Sequence, residues 1–209
     1  YDDLWRYDGS DWLKRYPVPH PSPRGAYGFA YDSVNNRCVL FGGYDGFTDL
    51  NDTWVYKNRR WERVSTTHAP YECCDMPMCF DKNLQAVLMV ESKGWSYNTW
   101  KFDGSDWQQI TGTGSSPDRP FEACMVFDDD LDQSVLYGGR GSSGWNGPSS
   151  DQQFHFVGSW WSSVSPSSKP GGRASHRMVY DSLRKRIVLF GGHDSGAVLD
   201  ETWEFDGAT

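Results

Sequence analysis

A pair of aromatic residues seven positions apart recurs through this chain, as Trp5 and Trp12, Trp54 and Trp61, Trp100 and Trp107, and Phe154 and Trp161; Trp203 then begins a fifth copy. The first members stand 49, 46, 54 and 49 residues apart. A period of roughly 40–50 residues restricts the fold to stacked repeats, because a unit of that size cannot bury its apolar surface alone and needs a neighbour.

Between the pairs lies a second repeating unit: an aromatic-Asp step, a short polar turn, and an apolar run closing on two glycines. It reads Tyr31-Asp32 to Val39-Leu40-Phe41-Gly42-Gly43, Phe127-Asp128 to Val135-Leu136-Tyr137-Gly138-Gly139, and Tyr180-Asp181 to Val188-Leu189-Phe190-Gly191-Gly192. One copy departs: Phe80-Asp81 leads to Val87-Leu88-Met89, and Val90-Glu91 stand in place of the glycines. Each repeat is predicted as four strands. The first ends at the aromatic-Asp step, the second is the apolar run, the third carries the first aromatic of the pair, and the fourth begins at the second, after a turn such as Asp103-Gly104-Ser105-Asp106. Eleven each of Trp, Tyr and Phe beside 22 Gly suit such short aromatic-packed strands joined by turns.

These features together resemble the Kelch repeat family, whose hallmarks are the double glycine after the second strand and the spaced aromatic pair on the third and fourth. The resemblance covers essentially the whole chain. It implies an all-β fold, a β-propeller of four-stranded antiparallel blades, and a ring of six or seven blades, of which this chain would form an incomplete arc. The expected units are a partial blade over 1–16, blades over 17–66, 67–113 and 114–166, and a partial blade over 167–209, with the remaining blades supplied by the same or a larger chain.

The formal net charge is −8, from 28 acidic against 20 basic residues, and no block of Lys and Arg provides a footprint for a phosphate backbone, so nucleic acid is not expected as a partner. No apolar stretch is long enough to span a bilayer, and the start Tyr1-Asp2-Asp3 lacks a signal-peptide pattern. The chain therefore reads as soluble, and its start without Met suggests that a preceding segment has been removed. The compartment is left open.

In a meander, the loops after the second strand and the blade links emerge on one face, where binding residues are expected. Those loops run over 44–51, 91–98, 140–152 and 193–200, and the links over 20–24, 68–74, 115–119 and 169–173. Phe47, Trp95 and Trp145 stand in the loops outside the repeat, as platforms for a partner protein or a sugar ring, or folded back over the blade edge. Tyr44, Arg140 and His193 follow the glycine position and vary between blades, a sign of specificity or of a solvated rim. Arg24, Arg119 and Arg173 recur just before the first strand and are read either as a carboxylate fork or as a structural bond to an acid such as Asp52 or Asp200.

Five cysteines cannot all pair with each other. Cys38 and Cys79 align with small apolar residues and read as packing. Cys73 and Cys74 replace the arginine of the other blades, and either reaches Cys124 in a disulfide if the inner strands approach. His68 with Cys73, Cys74 and Cys79 lacks the short-range pairs of a zinc site, and Asp128 to Asp132 reads as a solvated turn rather than a calcium loop. No nucleophile elbow, phosphate loop or His-Glu-x-x-His is present. Copper-radical oxidases of the galactose oxidase type use a Kelch-type propeller, but Tyr71, Cys73, His68 and His193 match only their residue types. No catalytic residue, metal or cofactor is assigned. The expected function is a non-catalytic binding or scaffolding module for a protein partner. The alternatives are glycan binding, a structural assembly subunit and, remotely, a copper-radical oxidase.

Overall fold

The computed structural model describes residues 1–93, 96–112, 114, 117–118, 120–140 and 148–208. The strands of the described residues form five antiparallel sheets in chain order and one further two-stranded hairpin sheet. Sheet I pairs β1 (Leu4–Tyr7) with β2 (Trp12–Arg15). Sheet II is a meander of β3 (Gly28–Asp32), β4 (Arg37–Tyr44), β5 (Asp49–Lys57) and β6 (Arg60–Val64), and sheet III repeats it with β7 (Met78–Asp81), β8 (Ala86–Lys93), β9 (Ser96–Phe102) and β10 (Trp107–Ile110). Sheet IV holds β11 (Cys124–Asp128), β12 (Gln133–Tyr137), β13 (Gln153–Val157) and β14 (Trp160–Val164). Sheet V holds β15 (Arg177–Asp181), β16 (Arg186–Phe190) and β19 (Thr202–Phe205), while β17 (His193–Asp194) and β18 (Ala197–Val198) make a small hairpin after its glycines. Among the described residues no helix is long and apolar enough to cross a membrane.

The repeating aromatic-Asp step closes each first strand for a local reason. The carboxylate of Asp32, Asp81, Asp128 or Asp181 accepts backbone N–H groups of the turn that follows, as Asp81 does from Asn83 at 3.0 Å and Leu84 at 2.9 Å. This side-chain cap substitutes for backbone pairing and sets where the second strand begins. The acidic run from Asp128 to Asp132 is such a turn, with Asp129 and Asp130 paired to Lys82 and Lys185 of the flanking sheets.

Neighbouring sheets pack face to face with β3, β7, β11 and β15 innermost, the arrangement of a β-propeller. Between sheets II and III, Ala30, Val39, Phe41 and Val55 meet Phe80, Val87, Met89, Phe102 and Trp107. Between sheets III and IV, Cys79, Leu88 and Val90 meet Met125, Leu136, Phe156 and Trp161. At each seam the fourth-strand indole is wedged inward and donates to a hydroxyl on the preceding sheet: Trp107 Nε1 to Thr53 Oγ1 and Trp161 Nε1 to Thr99 Oγ1, both at 2.9 Å. Trp61 packs on Leu40 and Trp54, with Leu4 of sheet I against them.

The arc has open faces at both ends. Trp12, a fourth-strand aromatic like the others, is 65% exposed, and Val179 and Phe190 of sheet V are 60% and 57% exposed. The repeat predicts eight tryptophans as packing residues; Trp5 and Trp12 depart, because sheet I has only two strands and no described residue covers that face. All five cysteines are free thiols, so neither Cys73 nor Cys74 is bonded to Cys124.

Adjacent tryptophans on β14 provide a controlled test of the wedge, since Trp161 is buried and Trp160 is 56% exposed. Trp161→Ala is expected to lower the unfolding free energy by about 3–5 kcal/mol, and Trp160→Ala to change it by less than about 1 kcal/mol. Denaturant unfolding followed by circular dichroism measures both, and similar losses would contradict the packing described.

Candidate functional site

The candidate site lies where the inner strands begin, at the end of the sheets that also carries the loops after each second strand. Ala26, Asp75, Glu122 and Ser175 occupy equivalent places there, all with left-handed φ near 55°. Their backbones form a chain across the sheets: Asp75 N–H donates to Ala26 O at 2.6 Å, Glu122 N–H to Asp75 O at 2.9 Å, and Ser175 N–H to Glu122 O at 2.8 Å. The side chains of this rim surround a central cleft of about 550 Å³, lined below by Tyr27, Phe29, Met78, Cys124 and Arg177.

The double glycines support this rim from outside. Gly42 has φ +62°, and a Cβ there would stand 2.6 Å from Cys73 O of the next sheet; Gly138, at φ +71°, would meet Arg173 O at 2.5 Å. Close approach of two backbones therefore requires glycine at both places. The following residue is then paired with the blade entrance, as Tyr44 with Gly25, Arg140 with Phe121 and His193 with Ala174.

That pairing fixes the arginine register. Arg24 and Arg173 precede Gly25 and Ala174 by one residue, so the equivalent in sheet IV is Pro120, and Arg119, which lies outside the described residues, is one position out of the expected alignment. Both described arginines are consumed by structure. Arg24 is nearly fully buried; it donates to Gly42 O at 3.0 Å and, in a fork, to Asp52 at 2.5 and 3.0 Å. Arg173, also buried, donates to Gly191 O at 3.1 Å and to Glu201 at 2.8 Å; its acid is Glu201 and not Asp200. In each case the same carboxylate accepts the third-strand indole, Trp54 on Asp52 and Trp203 on Glu201. The guanidinium thus ties the glycine turn to the aromatic strand, and no donor is directed at the cleft.

Sheet III achieves the same bond without arginine. Glu91, which replaces the second glycine, is fully buried and accepts from Trp100 Nε1 at 3.0 Å, Asn98 Nδ2 at 2.9 Å and the Tyr71 backbone. Cys73 fills the arginine position; burial, reinforced by Glu91, pushes its thiol pKa up. Burial and the Asp49 and Asp75 carboxylates push Cys74 up to about 12, so both stay protonated at neutral pH.

Of the variable trio, Arg140 is 2% exposed, is ion-paired with Glu122 and lies over the Phe121 ring, which corrects its expected place on an open rim. Glu122 also accepts from Ser175 Oγ at 2.9 Å and faces His193 Nε2 at 3.3 Å, so Arg140 and His193 are joined through one buried carboxylate. Tyr44 is half exposed, its hydroxyl donating to Gly46 O at 2.9 Å. Phe47 is 93% exposed at the tip of the β4–β5 hairpin, where Asp45 Oδ1 accepts the N–H groups of Phe47 and Thr48, both at 2.8 Å. Trp95 and Trp145 lie outside the described residues. Among the described residues no three His, Cys, Asp or Glu are grouped to hold a metal ion.

The sequence reading missed Asp75 and Glu122, the rim carboxylates. The signal was present: each stands two residues after the arginine-type position, as do Ala26 and Ser175, but it emerges only once sheet IV is aligned through Pro120. Burial, then the nearby Glu122 carboxylate, raises the Asp75 pKa to about 6. The folded state thus holds a proton that the unfolded chain releases at lower pH. The stabilisation this proton brings is complete below the ordinary carboxylate range and is lost as pH rises through 6. Asp75→Asn is expected to be more stable than the parent at pH 7, by no more than about 1 kcal/mol given its partial exposure, and equal to it near pH 4. Paired denaturation curves at the two pH values measure this, and a variant less stable at pH 7 would contradict the assignment.

No family model matches the chain. It is 26% identical to a leucine-zipper-like transcriptional regulator 1 homolog of Drosophila melanogaster, over 98% of this chain and 22% of that protein. It is also similar to tRNA wybutosine-synthesizing protein 4 of Aspergillus fumigatus, at 26% identity over 51% of this chain and 11% of the relative, and of Emericella nidulans, at 28% over 66% and 14%. The chain thus spans about a fifth or less of the length of these curated relatives. The chain is distantly related to them, and its own sheets form a propeller arrangement.

Proposed function

We propose that this chain is a Kelch-type propeller segment that binds a protein partner through the loop face around the central cleft. The observation that carries the reading is Phe47, an apolar ring almost wholly exposed on a hairpin tip whose conformation Asp45 fixes. An aromatic side chain held in water by a rigid turn loses little entropy on docking and presents a large desolvation gain, the profile of an interface anchor. Tyr44 and Tyr71, each about half exposed at the same end, extend the surface, and the expected loop aromatics Trp95 and Trp145 belong to the same proposal.

The relatives support a binding role from another direction. Their names denote a transcriptional regulator and a tRNA-modifying protein, and in each the similar region is a minor share of the chain. A region shared by proteins of such different named activities is better suited to recognition than to one chemistry.

The test is quantitative capture from an extract of the source cells, comparing the parent with a Phe47→Ala, Trp95→Ala, Trp145→Ala variant. Specific partners should fall at least about fivefold, as expected for loss of one or more aromatic anchors, with the melting temperature within a few degrees. Undiminished capture would overturn the reading, and a sugar-dependent signal on a glycan array without protein capture would replace it by glycan binding.

A further inference from the structure

His176, immediately before β15, is wholly buried at the loop-face corner where sheets IV and V meet. Two glycine turns close on it. A Cβ on Gly138 of sheet IV would stand 2.9 Å from its Cε1, and a Cβ on Gly192 of sheet V 2.9 Å from its Cβ, while the Tyr137 ring meets it edge to face at 5.8 Å. Tyr27 holds the same place in sheet II, 3.0 Å from a Cβ on Gly43, so the fold accepts an aromatic ring here without asking for its polarity. In His176 neither Nδ1 nor Nε2 has a hydrogen-bond partner among the described residues. Burying an imidazole in this way is costly, and packing alone does not require it. The charges around the ring oppose a proton on it. Arg177 donates to the His176 carbonyl at 3.0 Å, Arg173 comes from the preceding link, and the Tyr137 hydroxyl is bonded to Pro170 O at 2.5 Å. The acids of this corner are engaged elsewhere: Glu201 with Arg173, Glu122 with Arg140 and His193, Asp151 with Lys169, and Asp194 with the Ser149 N–H. Burial first, then Arg173 and Arg177, depresses the imidazole pKa to about 3.

We propose that His176 is an acid-sensitive latch: neutral, it holds the corner between the Gly138 and Gly192 turns closed, and a proton taken up in mild acid is accommodated only when that corner opens and the ring reaches water. The closed form does not take the proton, because an added N–H there finds no acceptor. The open form takes it up near pH 6.5, as any exposed imidazole does. Closure is therefore fully favoured above that pH and weakens as pH falls from it towards 3. At pH 5.0 the shift towards the open form is about thirtyfold. Opening frees the turn that carries His193, and with it the contact between His193 and Glu122. The latch is a property of the fold and does not depend on what the loop face binds.

The test is amide exchange of the full 209-residue chain at about pH 7.5 and pH 5.0, normalised to intrinsic rates, beside a His176→Phe variant that supplies an apolar ring as sheet II does. Relative to the variant, the parent is expected to lose about thirtyfold of its protection in acid over residues 137–139, 174–178 and 190–193, with sheets II and III unchanged. Comparing the two proteins at each pH cancels the contribution of Asp75, which acts in the opposite direction. Equal losses in parent and variant, a loss spread evenly over all sheets, or a parent that keeps its protection in acid overturns the proposal. If the variant fails to fold, the His176 ring resonances of the parent decide. A ring that titrates above about pH 6 with the fold intact overturns the latch, and one that stays neutral until the corner opens supports it.

Discussion

The indole that crosses from the fourth strand of one sheet to a threonine of the sheet before it is the interaction on which the rest of this molecule depends. A four-stranded meander is thin and apolar on both faces, so it acquires a core only when another sheet covers it. Burying an indole removes about 150–250 Å² from water, worth up to about 4–6 kcal/mol at the usual area coefficient. The single hydrogen bond to Thr53 or Thr99 adds about 1 kcal/mol. Burial therefore holds the sheets together, and the hydrogen bond sets their registry, since sliding one sheet along the next would leave a buried N–H without an acceptor.

Against that seam, the blade entrances solve one problem in three ways. The backbone of each entrance passes close to the turn of the preceding sheet, and the third-strand indole needs an acceptor. Sheets II and V use glycines, an arginine and a carboxylate. Sheet III moves the carboxylate onto the second strand as Glu91 and shrinks the arginine to Cys73. Sheet IV has Phe154 in place of the tryptophan, so no acceptor is needed; its arginine stands after the glycines and is neutralised by Glu122. The middle sheets bring Asp75 and Glu122 to the cleft, whereas the outer ones bring Ala26 and Ser175.

Most of the fold was legible because its signals are local and repeated. Aromatic-Asp steps mark turn caps, double glycines mark left-handed backbone at close approach, and alternation within Val39–Phe41 or Ile187–Leu189 assigns faces. The site was less legible. Arg24, Arg140 and Arg173 look alike in sequence as cations beside a channel, yet each is buried against a carboxylate distant in the chain. Phe47 stands outside the repeat in the sequence, where a contact platform and a ring folded over the blade edge are both open; the structure leaves that ring 93% exposed.

By itself the sequence determined the strands, their meander order and the need for stacked sheets, because periodicity, turn chemistry and glycine are properties of neighbouring residues. Only the tertiary structure decided which charges pair with one another and that Asp75 and Glu122 stand on the rim of the cleft. Those outcomes depend on which backbones meet across sheets, and a one-residue difference in alignment, as between Arg119 and Pro120, is enough to change the answer.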